Sequence, residues 1–365
     1  MKINVKKETL FKALQKISNI VGSRTTLPVL ANVLVEAEEG MVTLSTTDLE
    51  IRLSTKIEAE VESSGRTTIP VKRLLGLVSK LRGETVTLHT NENHHTQITC
   101  GTAAFTLLGL NPDDFPISVE FHPQRVVKIK ESDISSIIDR ISYAASLDDS
   151  RKVLQGILFS IRESKLTAVA TDGKRLALVE KLLDEAPSGV DGDIIITLKS
   201  AQELKRIIER DGELSMEIGE SQIVFRMENT VMTSKLIDGS YPNYQQVIPA
   251  TFAKKIQIPC EPFIYALDIV NVTLADAEAP YVKLTFRDGK LIFEANSNYG
   301  EGRESIDIEY DGEEMIASFN PHFLLDPFKH IGVDNITLKI NDVFSPIALE
   351  SGDGFLYVIM PMRNK

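Results

Sequence analysis

The chain has 365 residues and a net charge of −12, with 42% hydrophobic and 25% charged residues. These values exclude a disordered chain, and the length exceeds one ordinary domain core, so we expect two or three globular domains. No apolar run reaches the roughly 18 residues that a membrane-spanning helix needs. The first residues, Met1 to Lys7, lack the apolar core of a signal peptide. We therefore expect a cytoplasmic protein with no membrane partner.

The chain contains two cysteines, Cys100 and Cys260, which lie 160 positions apart. This spacing fits no zinc motif, and the six histidines show no HExxH or other ligand spacing. We therefore expect no metal and no cofactor. Both cysteines are interpreted as reduced, small hydrophobic residues, as is usual in the cytoplasm.

The first predicted element is a helix whose apolar stripe includes Leu10 and Leu14, and Ile134 and Ile138 repeat that stripe 124 positions later. A third segment of the same kind begins at Cys260. The predicted first helices cover residues 7–18, 131–142 and 260–272.

After each first helix, two alternating strands flank a short polar turn, which is a β-hairpin pattern. Asp48, Asp172 and Ser297 occupy the three turns, at intervals of 124 and 125 residues. A second helix and further strands follow each hairpin, with the helices predicted at 72–82, 199–210 and 320–331. Pro327 lies inside the last of these and should kink it.

This order of helix, strands, helix and strands recurs three times at about 120 residues, a length typical of whole domains. We predict an α+β fold of three tandem pseudo-repeated domains, each with two helices packed on antiparallel sheets. The boundaries should fall near proline-containing stretches at 120–126 and 248–254. The predicted domains are 1–121, 122–251 and 252–365.

The central hairpin turn, Thr171-Asp172-Gly173-Lys174-Arg175, could be either an acid/base loop or a simple turn. Catalytic residues are normally unique in a chain, whereas this turn recurs, so we interpret Asp48 and Asp172 as turn formers that bind their own backbone. An enzyme would have to use these aspartates with a histidine. The sequence contains no GxxxxGK[ST], GxGxxG or GxSxG motif, so we do not expect an enzyme.

Positive charge is concentrated on the predicted helices, whereas the strands and loops are acidic. Residues 72–82 carry four cations and no acid. If the helices line one surface, that surface attracts a polyanion; an ordinary solvated helix face is the alternative. Tryptophan is absent and helix aromatics such as Phe11 lie in apolar stripes. This pattern favours nonspecific contact with duplex phosphates over base stacking.

Four stretches, "GSRTTLPVLANVLVEA", "ATDGKRLA", "SKLIDGSYPNYQQVIP" and "YVIMPMR", resemble the bacterial DNA polymerase III β subunit family, the sliding clamps, and the resemblance covers the whole chain. In that family two subunits join head to tail into a ring that encircles duplex DNA and tethers the polymerase. The resemblance therefore implies a ring-shaped homodimer that acts as a processivity factor in DNA replication and repair, associated with the nucleoid.

The resemblance also implies site residues. The candidates for contact with DNA are Arg24, Lys72, Arg73, Arg151 and Lys199. The candidates for an apolar pocket that receives short clamp-binding peptides are Leu154, Thr171, Gly173, Lys174, Arg175, Leu176, Pro242, Gln246, Val247, Pro346, Val358, Met360, Pro361, Met362 and Arg363. The implied clients are the replicative polymerase α subunit, the clamp loader, translesion polymerases, and mismatch-repair and ligase-type proteins. Positions 174, 246 and 346 are often His, Arg and Ser in this family, so the peptide preference should differ.

The implied dimer contacts are Phe105, Leu107, Leu274, Glu301 and Glu304. The family often places basic residues of a first-domain strand against an acidic third-domain segment, but the strand here, "CGTAAFTLL", contains no cation. We therefore expect a dimer that depends less on salt bridges. A scaffold that binds peptides without encircling DNA remains the other alternative.

Overall fold

The computed structural model describes residues 1–22, 27–118, 121–189, 191–209, 211–274 and 280–362. The first third of the chain forms β1 (Lys2–Lys6), α1 (Lys7–Ile17), β2 (Asn32–Glu38), β3 (Met41–Thr47), β4 (Ile51–Glu58), β5 (Glu60–Ser63), β6 (Gly65–Pro70), α2 (Val71–Val78), β7 (Thr85–Thr90), β8 (His95–Cys100) and β9 (Ala103–Leu108). The middle third forms β10 (Arg125–Lys130), α3 (Glu131–Ile141), β11 (Gly156–Arg162), β12 (Lys165–Thr171), β13 (Arg175–Leu182), β14 (Gly192–Thr197), α4 (Leu198–Ile207), β15 (Glu213–Ile218), β16 (Gln222–Arg226) and β17 (Thr230–Lys235). The last third forms β18 (Lys254–Pro259), α5 (Cys260–Asn271), β19 (Val282–Arg287), β20 (Lys290–Ser297), β21 (Gly300–Asp307), β22 (Met315–Phe319), α6 (Pro321–His330), β23 (Asn335–Ile340), β24 (Ile347–Glu350) and β25 (Phe355–Ile359).

The predicted α+β class and the threefold order of helices and strands are confirmed. Each third of the chain contributes two helices, and every strand pair recorded among the described residues is antiparallel. The helix stripes are buried as predicted, with Leu10, Leu14 and Ile138 at most 1% exposed. Helix α2 ends at Val78 rather than at Arg82, because the residues that follow form a tighter turn in which the N–H of Lys80 donates to the carbonyl of Leu77 (3.0 Å).

The chain divides into two compact units, and each unit is built on two sheets. Unit 1 comprises residues 1–132, 184–190 and 203–236 and contains a five-stranded sheet, β5-β1-β7-β8-β9, and an eight-stranded sheet, β10-β15-β16-β17-β4-β3-β2-β6. Unit 2 comprises residues 133–183, 191–202 and 237–365 and contains an eight-stranded sheet, β14-β11-β12-β13-β25-β24-β23-β18, and a four-stranded sheet, β21-β20-β19-β22.

The eight-stranded sheets each join strands of two successive predicted domains. In unit 1, β17 pairs with β4, and in unit 2, β25 pairs with β13. The units therefore divide the strands of the predicted central domain between them, since β10 and β15–β17 belong to unit 1 and β11–β14 to unit 2. The boundaries at 121/122 and 251/252 stay predictions.

Helix α6 continues through Pro327 to His330. Proline has no N–H, so the carbonyl of Phe323, one turn earlier, cannot receive its usual helical hydrogen bond. The hydroxyl of the buried Tyr357 donates to this carbonyl instead (2.7 Å). A side chain from strand β25 thus replaces the hydrogen bond that the proline removes.

Candidate functional site

The two Thr-Asp turns have the same hydrogen-bond pattern, which confirms Asp48 and Asp172 as turn formers. Oδ1 of Asp172 accepts from the N–H groups of Lys174 (2.9 Å) and Arg175 (3.0 Å). The hydroxyl of Thr171 donates to the carbonyl of Arg175 (2.6 Å) and accepts from the N–H of Gly173 (3.1 Å). The Thr171 hydroxyl and Oδ1 of Asp172 are therefore occupied by the turn's own backbone.

The side chain of Arg175 extends from this turn and bonds to other parts of unit 2. Its guanidinium bonds to Asp172 (3.1 Å), to Asp326 and to the carbonyl of Tyr143 (2.6 Å), and it stacks over the ring of Phe323 at 4.3 Å. Only 11% of the side chain is exposed. The donors of Arg175 are consequently engaged within the protein, so Arg175 shapes the site rather than presenting a free charge to a peptide.

An apolar cluster covers one face of the eight-stranded sheet in unit 2. Leu176 and Val358, both peptide-pocket candidates, pair across β13 and β25 and are 2% and 3% exposed. Val153 and Tyr241 pack against the cluster and are only partly buried. Burial raises the pKa of the Tyr241 hydroxyl, so this group stays neutral and able to donate a hydrogen bond.

The exposed apolar residues near this cluster include Val247 and Met360, which are 47% and 46% exposed. The N–H of Met360 donates to the carbonyl of Lys174 (3.1 Å), which ties the C-terminal residues to the turn. Leu154 is buried, whereas Gly173, Lys174, Pro242 and Gln246 are exposed, and Thr171, Pro346, Pro361 and Met362 are half-buried. Arg363 lies outside the described residues. We use the name "apolar pocket" for four residues of the predicted peptide site: Leu176, Val358, Val247 and Met360.

Sequence reasoning missed several residues on the same face of the sheet. Leu178 and Leu356 belong to this face, because side chains two positions apart on a strand point the same way. Alternation along β13 and β25 would have predicted both. Ile248 and Tyr244 also pack there, but they come from an irregular segment whose position no periodicity predicts.

The candidates for contact with DNA that the structure describes lie on exposed positions. Lys72 and Arg73 are exposed on α2 and form no ion pair with a described residue, while Lys199 is exposed on α4. Arg151 is half exposed and pairs with Asp148 (3.2 Å). Arg24 lies outside the described residues.

The dimer candidates differ in their exposure. Phe105 is 47% exposed on β9, the edge strand of the five-stranded sheet, and Glu301 is exposed on β21, the edge of the four-stranded sheet. Leu107 and Glu304 are half-buried. Leu274, however, is 4% exposed within its own unit, because it packs into the core there; Val272 is the exposed apolar residue, at 74%.

The described residues contain no group of three or more side chains arranged to hold a metal ion. Both cysteines are buried and free. None of the described helices is long and apolar enough to cross a membrane.

Three family models together cover almost the whole chain. The model of the DNA polymerase III beta subunit N-terminal domain matches residues 1–119, that of the central domain 128–243 and that of the C-terminal domain 245–363. The Beta sliding clamp of Chlamydia muridarum is 32% identical over 100% of this chain and 99% of its own length. That of Caulobacter vibrioides is 31% identical over the full length of both.

Solved structures show the same fold. The DNA polymerase sliding clamp of Bacillus subtilis matches with a TM-score of 0.95 at 26% identity and covers 100% of both chains. The sliding clamp of Pseudomonas aeruginosa bound to griselimycin matches with a TM-score of 0.95 at 30% identity, again over the full length of both chains.

Proposed function

Because the chain belongs to the DNA polymerase III beta subunit family, we propose that it is a DNA sliding clamp that acts in replication and repair. Two copies form a ring around duplex DNA, and the ring tethers the replicative polymerase to the DNA. The observation that carries this proposal is the match of all three domain models, in order, along one chain. The clamp works in the cytoplasm at the nucleoid and has no catalytic activity of its own, consistent with aspartates that bind their own turn backbone.

The ring closes between the edge strands β9 and β21, each of which has one side without a partner strand among the residues that the structure describes. An exposed strand edge offers free N–H and C=O groups to another strand. β9 has no charged residue, and Phe105 and Leu108 on it are 47% and 63% exposed. We therefore assign the apolar part of the contact to these residues, to the half-buried Leu107 and to Val272, in place of the buried Leu274.

Sedimentation equilibrium across a salt series tests this interface. An interface held by apolar and main-chain contacts keeps its dimer between 0.1 and 1 M salt, since screening weakens charge pairs far more. Phe105→Asp should produce monomers, whereas the matched control Ile316→Asp, also at an exposed position on a strand, should remain dimeric. A steep loss of wild-type dimer with salt would contradict the assignment.

DNA is held by weak phosphate contacts from Arg24, Lys72, Arg73, Arg151 and Lys199, while the closed ring supplies the lasting link. Such contacts are independent of sequence and sensitive to salt. Clamps loaded on nicked circular DNA should remain bound and should leave when the DNA is cut to a linear form. Equal retention on circular and linear DNA would favour the alternative, a scaffold that binds peptides without encircling DNA.

Client proteins bind the apolar pocket through short peptides. The clients are the polymerase α subunit, the clamp loader, translesion polymerases, and mismatch-repair and ligase-type proteins. The pocket combines buried Leu176 and Val358 with exposed Val247 and Met360, and an adaptable thioether suits several ligands. The preference among peptides depends on three further residues of the predicted site, Lys174, Gln246 and Pro346.

Griselimycin, which is bound to the Pseudomonas aeruginosa relative, and a peptide of the polymerase α subunit serve as probes. Met360→Ala and Val247→Ala should each weaken binding of the peptide by roughly fivefold, because each removes a contact of about 1 kcal/mol. Ile316→Ala, a similarly exposed residue on β22, should leave binding unchanged. Competition between griselimycin and the peptide would indicate a shared site.

A further inference from the structure

A groove of about 440 Å³ lies on the same sheet face as the apolar pocket. We call it the flank groove, and its lining side chains include Leu178, Glu180, Tyr244, Ile248, Glu350 and Leu356. Its volume lies within the range of ligand-binding pockets, roughly 300–1,000 Å³. The flank groove includes none of the residues that the sequence predicted for the peptide site.

Strand register makes the flank groove continuous with the apolar pocket. On β13 and β25, Leu176 pairs with Val358, and Leu178 pairs with Leu356 two positions further along. Residues two positions apart point to the same face and are separated by about 6.6 Å. A peptide chain that places one side chain in the pocket therefore reaches the groove with a residue or two beyond it.

Gly354 lies at the far end of the groove, where the chain passes close to the backbone of Glu180. Its φ is +87°, and a Cβ atom there would lie 2.2 Å from the carbonyl oxygen of Glu180. No other residue fits this position without moving the backbone. The glycine thus holds this end of the groove against the Glu180 backbone.

Two carboxylates border the groove. Glu350 pairs in register with Leu356, and Glu180 bonds through its N–H to the carbonyl of Gly354 (2.9 Å). Glu180 also forms an ion pair with Lys165 (2.8 Å), but both side chains are more than 40% exposed. Such an exposed pair contributes only about 0–1 kcal/mol to stability, so Glu180 can exchange Lys165 for a cation of the ligand at low cost. Glu350 pairs with Lys339, and 36% of the Glu350 side chain is exposed.

The electrostatic surroundings of Tyr244 agree with this negative character. Burial raises the pKa of the Tyr244 hydroxyl, and the charges of Asp193 and Glu180 raise it further, although the charge of Lys165 opposes them. The apolar floor and the acidic border together fit an aliphatic side chain followed by a cation.

We propose that the flank groove binds the residues of a client peptide that adjoin its anchor, with an aliphatic side chain on Leu178 and Leu356 and a Lys or Arg at Glu180 and Glu350. This assignment rests on the proposed peptide pocket. The flank groove thereby adds a second determinant of client selection. It favours peptides with a basic residue beside the anchor and disfavours peptides with an acidic residue there.

The test uses fluorescence anisotropy with the full chain and the shortest segment of the organism's polymerase α subunit that binds it. The peptide is extended at either end by Leu-Lys, Leu-Gln or Leu-Glu. At low salt, the Leu-Lys extension at one end should bind about fivefold more tightly than Leu-Gln, and Leu-Glu should bind more weakly than both.

The variant Glu180→Gln/Glu350→Gln should abolish the advantage of lysine and leave binding of the unextended peptide unchanged. The control variant Glu309→Gln/Asp311→Asn removes two exposed charges elsewhere and should keep that advantage. Equal affinities for the three extensions, or an advantage of lysine that survives in the Gln variant, would overturn the inference while the pocket stands. A chain that binds neither the short peptide nor griselimycin would overturn the pocket itself.

Discussion

The turns at residues 47–51 and 171–175 share one backbone conformation, but their last residues make different contacts. In both, Thr and Asp side chains bind the same backbone groups, and the N–H of Ile51 donates to Asp48 (2.7 Å) as that of Arg175 does to Asp172 (3.0 Å). In both, the residue after the turn's Asp has a positive φ, 77° at Leu49 and 85° at Gly173. The last residue differs: Ile51 is buried in the core, whereas Arg175 binds two carboxylates.

The two units also differ in the strand that follows each turn. In unit 1, Arg52 occupies the position that Leu176 has in unit 2; it donates to the carbonyl of Pro116 (2.6 Å) and stacks over Phe115 at 5.4 Å. The pair Phe115-Pro116 corresponds to Tyr241-Pro242, but Phe115 is only 3% exposed. In unit 1 this surface is thus covered by an arginine and a buried ring, whereas in unit 2 the corresponding positions hold Leu176 and the partly buried Tyr241. We propose that this difference in side chains restricts the peptide site to unit 2.

The largest effect should come from Arg175→Ala, which leaves Asp172 and Asp326 without their cation. Because breaking a largely buried ion pair strands the remaining charges, we expect a loss of about 3 kcal/mol of stability. Urea unfolding followed by far-UV circular dichroism measures this loss. The control Arg162→Ala removes an exposed pair with Asp193 and should cost less than about 1 kcal/mol. Equal losses for the two variants would mean that the Arg175 network contributes no more than a surface pair.

Leu176→Arg transfers the closing residue of unit 1 into unit 2. The guanidinium should fill the apolar pocket and weaken binding of the polymerase peptide by roughly 30-fold, as expected when a central anchor site is lost. Leu176→Met, which nearly conserves volume, should bind within about threefold of wild type. A Leu176→Arg protein that melts at the wild-type temperature and still binds tightly would show that the pocket lies elsewhere.

Asp172→Ala, made in the wild-type and in the Arg175→Ala background, separates the turn from its ion pair. In either background the variant loses two hydrogen bonds from backbone N–H groups, which costs about 1–2 kcal/mol. In the wild-type background it also loses the bond to Arg175 and should be the more destabilising by about 1 kcal/mol. The difference between the two shifts in urea midpoint gives this quantity, and equal shifts would show that the ion pair adds nothing to the turn.

The smallest effects concern the left-handed residue of each turn. Leu49 is 46% exposed and strained at a φ of 77°, so Leu49→Gly should stabilise the protein by up to about 1 kcal/mol. Gly173→Ala should destabilise it by a similar amount, since a φ of 85° disfavours a Cβ atom, which would also lie 3.0 Å from Nη1 of Arg151. Thermal melting of both variants measures these shifts, and changes in the same direction would contradict the shared geometry.

Much of the fold follows from the sequence because the signals are local and repeated. The apolar stripes of Leu10 and Ile134 predict their helices, and the recurrence of Asp48 at Asp172 predicts the common turn. The partners of Arg175 could not be predicted, since Asp326 lies 151 positions away and no periodicity links the two residues. The burial of Leu274 was missed for a similar reason: an apolar residue after a helix can face the core or a partner, and only packing decides which.

Small-angle X-ray scattering with absolute mass, at 0.15 and 1 M salt, tests the clamp most directly. We expect a particle of about 81 kDa at both salts, twice the 40.5 kDa of the chain, with the distance distribution of a hollow ring. A compact 40.5 kDa monomer at every concentration would contradict the proposal that this chain closes into a ring by itself.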